Sequence, residues 1–210
     1  MGRFFCSYFP TKSPKIRVVR ALINEGEKMN AWDQDTYLKA WNFASTIHLG
    51  QTIPGSDISY INHLGLVSME ATAAIANNPN IENPNLLVLC ALLHDSIEDT
   101  HTTFEDIENT FGLDVANGVL ALSKNEELST KKEKMDDSIR RIKQQPKEVW
   151  MVKLCDRITN LQPPPKHWDT DKILRYRDEA ICIVNQLGEA NEFLAARLKL
   201  KIDGYSQYMK

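Results

Sequence analysis

No CxxC spacing occurs among Cys6, Cys90, Cys155 and Cys182, and three of the four lie in apolar helical surroundings. Free cysteine in such places behaves as a small buried hydrophobe, so neither a zinc framework nor a disulfide scaffold is expected, and a reducing cytosol is. Long hydrophobic runs are missing too, and nothing approaches the roughly 20 apolar residues that cross a bilayer. The opening "MGRFFCSYFP" has neither a long enough apolar core nor a small-residue cleavage site for a secretory signal. These absences predict a cytoplasmic chain with no membrane partner. Net positive charge is also lacking: a formal charge of −3 and a pI near 6.0 argue against a nucleic-acid polymer, while a local basic cluster could still hold a small anion. There is no β-alternating segment of useful length, no internal repeat and no low-complexity tract.

What remains is helix. With 210 residues and 24.0 kDa, the chain has room for one sizeable core and one active site. Residues 1–30, with Pro10, Pro14 and "KSPKIRVVR", read as an N-terminal extension or an added helix; residues 31–210 read as a single domain. "TYLKAWNFASTIHLG" spaces Leu38, Trp41, Ala44, Ile47 and His48 for one helical face and stops at Gly50. The loop "QTIPGSDIS" leads to "YINHLGLVSMEATAAIANN", whose small residues predict close packing. Asn83-Pro84 then supplies a cap and a first helical position. "NLLVLCALLHDSIED" is apolar almost all round, which makes residues 85–97 the expected central helix of an all-α bundle. "TTFEDIENTFG" offers a capping box from Thr102 to Glu105, and "LDVANGVLALS" a further short helix. "KNEELSTKKEKMDDSIRRIKQQP" reads as a loop and an exposed helix, and "PKEVWMVKLCDRITNLQ" as an amphipathic helix stopped by Pro163 to Pro165. Two C-terminal helices follow, over which a homodimer contact is conceivable.

The chemistry gathers where the apolar run ends. Residues four apart share a helix face, so His94 pairs with Glu98 and Asp95 with Asp99. Three of these are potential anions with no Lys or Arg nearby in sequence, an arrangement that repels itself unless a cation sits among them. His63 in "YINHLG" and Asp156 in "VKLCDRITNL" present metal-competent side chains from two other helices. A His/His/Asp/Asp set of nitrogen and oxygen donors suits Mn²⁺ or a similar divalent ion better than structural zinc.

The ordered series His63, His94-Asp95 and Asp156 resembles the HD superfamily of metal-dependent phosphohydrolases. The fuller strings "YINH", "ALLHDSIEDT", "TTFEDIENTFG" and "VKLCDRITNL" are similar to the alarmone hydrolases, meaning the hydrolase half of the RelA/SpoT enzymes and the free-standing Mesh1-like small alarmone hydrolases. The likeness runs from about Ala40 to Leu187 and implies an HD-domain helical bundle. It implies that His63, His94, Asp95 and Asp156 hold one Mn²⁺, and that Glu98 and Asp99 orient and deprotonate the attacking water. The implied reaction removes the 3′-pyrophosphate of the nucleotide (p)ppGpp. The same resemblance puts Asn160, Arg157, Tyr176 and Lys153 beside the nucleotide, with Asn160 at the ribose. Ser123-Lys124 and the cations Lys131, Arg140, Arg141 and Lys153 become candidates for the pyrophosphate. His48 and Gln51 match a family motif as "ASTIHLGQ". The loop that next brings Arg or Lys in the family reads "TIPGSDIS" here, with no positive charge until Lys124. That departure predicts an altered base preference and leaves room for (p)ppApp. The alternatives are an HD-type phosphatase acting on NADPH or another nucleotide, and a non-enzymatic nucleotide sensor of the antitoxin kind.

Overall fold

The computed structural model describes residues 32–209. The proposed extension at residues 1–30, and Cys6 with it, lies outside them. Among the described residues the chain is helical with no strand, as its periodicity predicts; the one isolated β-bridge joins Thr52 and Ser59. No helix of these residues is long and apolar enough to cross a membrane.

Helix α1 (Gln34–Ile47) begins at Asp33, whose carboxylate accepts the Thr36 N–H at 2.6 Å. Its buried line is Ala40, Ala44 and His48, while Leu38, expected on that line, is 55% exposed. Helix α2 (Ile61–Asn77) carries the predicted close contacts: a Cβ on Gly65 would come within 3.1 Å of Trp41, and Ala71 and Ala74 are fully buried. Helix α3 (Pro84–Leu93) starts as read, with Asn83 accepting the Leu86 N–H at 3.0 Å and Pro84 in the first turn. It is buried on every side and packs against α1, α2, α6 (Leu113–Leu122) and α8 (Lys147–Asn160). Truncating a buried leucine in such a core costs ~2–5 kcal/mol, so the end of α3 is a rigid base for a site.

That helix does not continue to residue 97. It breaks at His94-Asp95, and a short helix, α4 (Ser96–Asp99), restarts with Asp95 at its cap. On an unbroken helix adjacent side chains diverge by about 100°; the turn lets both aim at one point. Two other boundaries shift. In α5 (Phe104–Phe111) the capping box is Thr103 with Asp106 rather than Thr102 with Glu105, because Thr102 is engaged with the Thr100 hydroxyl at 2.8 Å. Helix α8 is buried nearly all round rather than amphipathic: even Glu148, Asp156, Arg157 and Thr159 are covered. It packs against α2, α3, α9 (Thr170–Leu187) and α10 (Glu192–Tyr205), so α3 and α8 share the centre.

Helix α7 (Lys131–Ile142) is the expected polar helix, laid on α6 through Ile139 and Ile142. Helix α6 comes very close to the core, for a Cβ on Gly118 would meet Cys90 Sγ at 2.7 Å. Cys90 and Cys155 are free thiols whose burial pushes their pKa up, which fits the structural reading.

Candidate active site

The tops of α2, α3 and α8 converge. His63 Nε2 stands 3.4 Å from His94 Nε2 and 3.5 Å from Asp156 Oδ1, and His94 Nε2 is 3.8 Å from Asp156 Oδ1. All three residues are buried, and their donor atoms lie within 4.8 Å of one another. Asp95 flanks the trio, with Oδ2 at 2.9 Å from His94 Nε2 and 3.7 Å from His63 Nε2. Two imidazoles and two carboxylates crowd this space, and a set of two nitrogen and two oxygen donors fits a divalent cation. The second layer fits as well: His94 Nδ1 is 3.0 Å from the Ala91 carbonyl, which orients Nε2 toward the centre.

Burial lowers the pKa of His63, so its ring stays neutral, as a ligand must. Burial also opposes charge on His94, but Asp95 outweighs it and lifts the ring to about 9 in the chain's own field. Asp156 is held below the usual carboxylate range despite its burial, by Lys153 first and then by the two imidazoles. Lys153 Nζ is 3.4 Å from Asp156 Oδ2, and the Asn160 amide donates to Oδ1.

Glu98 and Asp99 follow on α4. Lys124 holds both oxygens of Glu98: its backbone N–H donates to Oε2 at 2.8 Å and its ammonium to Oε1. Asp99 stands at the rim, its carboxyl pushed up by partial burial and by the charges of Asp95 and Glu98. Behind them, His48 Nδ1 meets Gln51 Oε1 at 2.7 Å, and Gln51 Nε2 donates to the Asp99 carbonyl at 2.7 Å. His48 and Gln51, expected at the substrate, therefore brace the acidic turn from behind.

A cavity of about 420 Å³ opens beside this centre. Lys124, Lys131, Lys134, Lys153, Arg157, Lys172 and Arg175 line it, against Glu126 and Glu179. Arg157 is 6% exposed and lies over the Tyr176 ring at 4.4 Å; its Nη2 reaches Glu179 at 3.4 Å, while Nε and Nη1 have no hydrogen-bond partner. A buried guanidinium with unspent donors is a costly arrangement that an anion would relieve.

A family model described as "HD domain" matches residues 40–190. This chain belongs to the HD-domain family. Over 175 residues it is 31% identical to the guanosine-3′,5′-bis(diphosphate) 3′-pyrophosphohydrolase MESH1 of Xenopus tropicalis, covering 79% of this chain and 92% of that one. A stretch of 129 residues is 34% identical to the bifunctional (p)ppGpp synthase/hydrolase SpoT of Escherichia coli strain K12, covering 59% of this chain and 17% of that one. A solved structure described as "A metazoan ortholog of SpoT hydrolyzes ppGpp and plays a role in starvation responses" superimposes with a TM-score of 0.69 at 25% identity, over 86% of this chain and 99% of that one.

Within this HD-domain chain, the structure brings His63, His94, Asp95, Asp156, Glu98 and Asp99 together, with Lys153, Asn160, Arg157, Tyr176 and Lys124 around them. It does not bring Arg140 and Arg141 to the cavity wall. Arg141 spends its donors on Asp137 and on the carbonyls of Leu120, Ala121 and Ser123, capping α6; Arg140, 66% exposed in its side chain, pairs with Asp137. The wall also includes Lys172 and Arg175, which no motif marks, together with Lys134 from the charged helix and Trp168, whose sequence context suggests only packing. Lys172 could have been found, since it lies one turn before Tyr176 on α9 and its ammonium sits 4.3 Å over the Trp168 ring. Tyr60, which donates to Asp95 Oδ2, stood in the motif "YINH" without a role.

Proposed function

We propose that the chain is a Mn²⁺-dependent 3′-pyrophosphohydrolase of guanosine alarmones, (p)ppGpp, with the adenine counterparts (p)ppApp as second substrates. One observation carries this reading: a buried His-His-Asp centre beside two acids adjoins, through Lys153 and Lys124, a cavity walled by cations. The relatives support the substrate class, because the MESH1 proteins are named for this hydrolysis and SpoT for synthesis and hydrolysis of (p)ppGpp.

His63, His94 and Asp156 would hold the ion with Asp95 as the fourth donor. When bound, a divalent cation lowers the pKa of water from about 15.7 to about 7 and polarises a phosphoryl oxygen. In the reaction, water adds to the phosphorus attached to the ribose 3′ oxygen and that P–O bond breaks, leaving the 3′ alcohol and pyrophosphate. Asp99, with its raised pKa, is suited to take the proton from water, and Glu98, fixed at both oxygens by Lys124, to orient it. Lys153 and the unspent donors of Arg157 meet the phosphate charge, and Tyr176 gives the sugar a flat wall. Asn160, bound to Asp156, steadies that carboxylate from the side where the ribose would lie. The loop from Thr52 to Ser59 offers no cation to a guanine carbonyl, which is the basis for admitting adenine.

Anion-exchange analysis of products tests the reading, with ppGpp, ppApp and NADPH incubated in parallel with the protein and Mn²⁺, Mg²⁺ or Zn²⁺. Pyrophosphate from ppGpp, fastest with Mn²⁺, is the expected result, and the ppApp rate beside it measures base preference. Orthophosphate from NADPH alone would make the chain a nucleotide phosphatase, and no product from any substrate would end the enzymatic reading.

A further inference from the structure

The loop between α1 and α2 is a built element. Ile53-Pro54-Gly55-Ser56 forms a turn closed by Ser56 N–H to the Ile53 carbonyl at 3.0 Å, with Gly55 at φ 81°, the left-handed position that the residue after proline takes in a type II turn. Ile53 N–H donates to Ile58 at 2.8 Å, Thr52 bridges Ser59, and Tyr60 N–H donates to Gln51 at 3.0 Å. This short hairpin sets Gln51 and Tyr60 side by side. Gln51 grips the last residue of the acidic turn through the Asp99 carbonyl. Tyr60 grips the first through the Asp95 carboxylate.

Tyr60 is well placed to be exact about that carboxylate. Its ring is stacked on His48 at 5.1 Å between centroids and tilted against His63 at 5.3 Å, so the phenol has little freedom to swing. Its hydroxyl donates to Oδ2, the same oxygen that lies 2.9 Å from His94 Nε2 and 3.7 Å from His63 Nε2. The oxygen that faces both imidazoles is therefore the one the phenol fixes. A carboxylate oxygen has two lone pairs, so beside this hydrogen bond it can offer the other to a cation that takes the place of the proton between it and His94 Nε2.

We propose that Tyr60 is a positioning residue of the metal centre: held between His48 and His63, it locks the Asp95 rotamer with Oδ2 turned to the two imidazoles, and so sets the affinity for the divalent ion. This rests on the metal-centred reading above. Groups that hydrogen-bond to metal ligands typically contribute about 10–100-fold to metal affinity.

Calorimetric titration of Mn²⁺ into the chelator-stripped protein reads this directly, without substrate. Tyr60→Phe keeps the ring and removes only the hydroxyl; its Kd is expected to weaken by about 10-fold or more, with thermal unfolding of the metal-free protein unchanged. Tyr37→Phe, which breaks a 2.6 Å hydrogen bond to Ser68, is the matched control and is expected to keep the wild-type Kd. An unchanged Kd in Tyr60→Phe overturns the proposal, as does a weaker Kd accompanied by a lower melting temperature without metal, which would make Tyr60 a packing residue. Absence of Mn²⁺ binding by the wild type would overturn the metal centre itself, and Tyr60's role along with it.

Discussion

Two walls meet at the site, and they differ in charge, rigidity and origin. The wall drawn from residues 40–123 carries ten Asp and Glu and no Lys or Arg, whereas residues 124–175 carry thirteen Lys and Arg against nine Asp and Glu. On the first wall the polar atoms are buried, aimed by the hairpin and by α3, and crowded with negative charge. On the second, the long side chains of lysine and arginine line a cavity. The first is shaped to hold a small cation in fixed geometry, and the second to accept a polyanion of variable shape. Asp156 is the joint between them, because it belongs in sequence to the basic segment and in space to the acidic centre, with Lys153 beside it. On the proposed function, metal binding and substrate binding are thus separable properties of the two walls.

The largest effect comes from cutting the joint or its neighbour. Asp156→Ala or Asp95→Ala is expected to reduce turnover to background while leaving helix content, read by circular dichroism, as in the wild type. Chelation should abolish wild-type turnover and added Mn²⁺ restore it, with no rescue in either variant. Unchanged turnover in Asp95→Ala would remove it from the metal set. Next in size is Glu98→Gln, which keeps shape but loses the charge. It is expected to lower kcat by about 10²–10⁴-fold with metal affinity retained. Equal loss of metal would mean that Glu98 is a ligand and that Asp99 alone handles the water. Smaller again is Arg157→Lys on the basic wall. Losing the planar fork at a charge-assisted hydrogen bond costs ~1.5–3 kcal/mol, which is about 10–100-fold in KM with little change in kcat. A fall in kcat at constant KM would instead move Arg157 into the chemistry.

The acidic wall was far more legible in the sequence than the basic one. Its proposed site residues stand in short strings: His94-Asp95 follows an apolar run, Glu98-Asp99 comes one turn on, and His63 and Asp156 each interrupt a helical pattern. Even there, the break after Leu93 is hidden, since neither His94 nor Asp95 forbids helix; in the fold, the turn brings both side chains to one point. The capping box slipped by one residue for a similar reason. Thr102 with Glu105 and Thr103 with Asp106 both satisfy the pattern, and a hydrogen bond from Thr100 decides between them. The basic wall is assembled from α7, α8, α9 and the loops before them, at separations that follow no period. Lys131 and Lys134 read as a solvated helix face, and only the fold turns them toward the cavity. The charge of Arg141 is visible in sequence, whereas the carbonyls of Leu120, Ala121 and Ser123 that accept its hydrogen bonds are brought to it only by the fold.

The gentlest perturbation separates the walls without a mutation. Between about 0.1 and 1 M salt the screening length falls from about 10 Å to about 3 Å, and exposed charges lose their reach while buried pairs are affected much less. His63, His94 and Asp156 are all buried, so the Mn²⁺ Kd is expected to change little across that range. The side chain of Lys124, by contrast, is 53% exposed, and the cavity it helps to line is open. KM for a substrate with two phosphate chains should therefore rise severalfold, with kcat nearly constant once substrate saturates. Steady-state kinetics and metal titrations at matched salt concentrations check both halves. A salt-sensitive metal Kd with a salt-insensitive KM would reverse the assignment, placing the cation on the open wall and leaving the substrate to contacts other than charge.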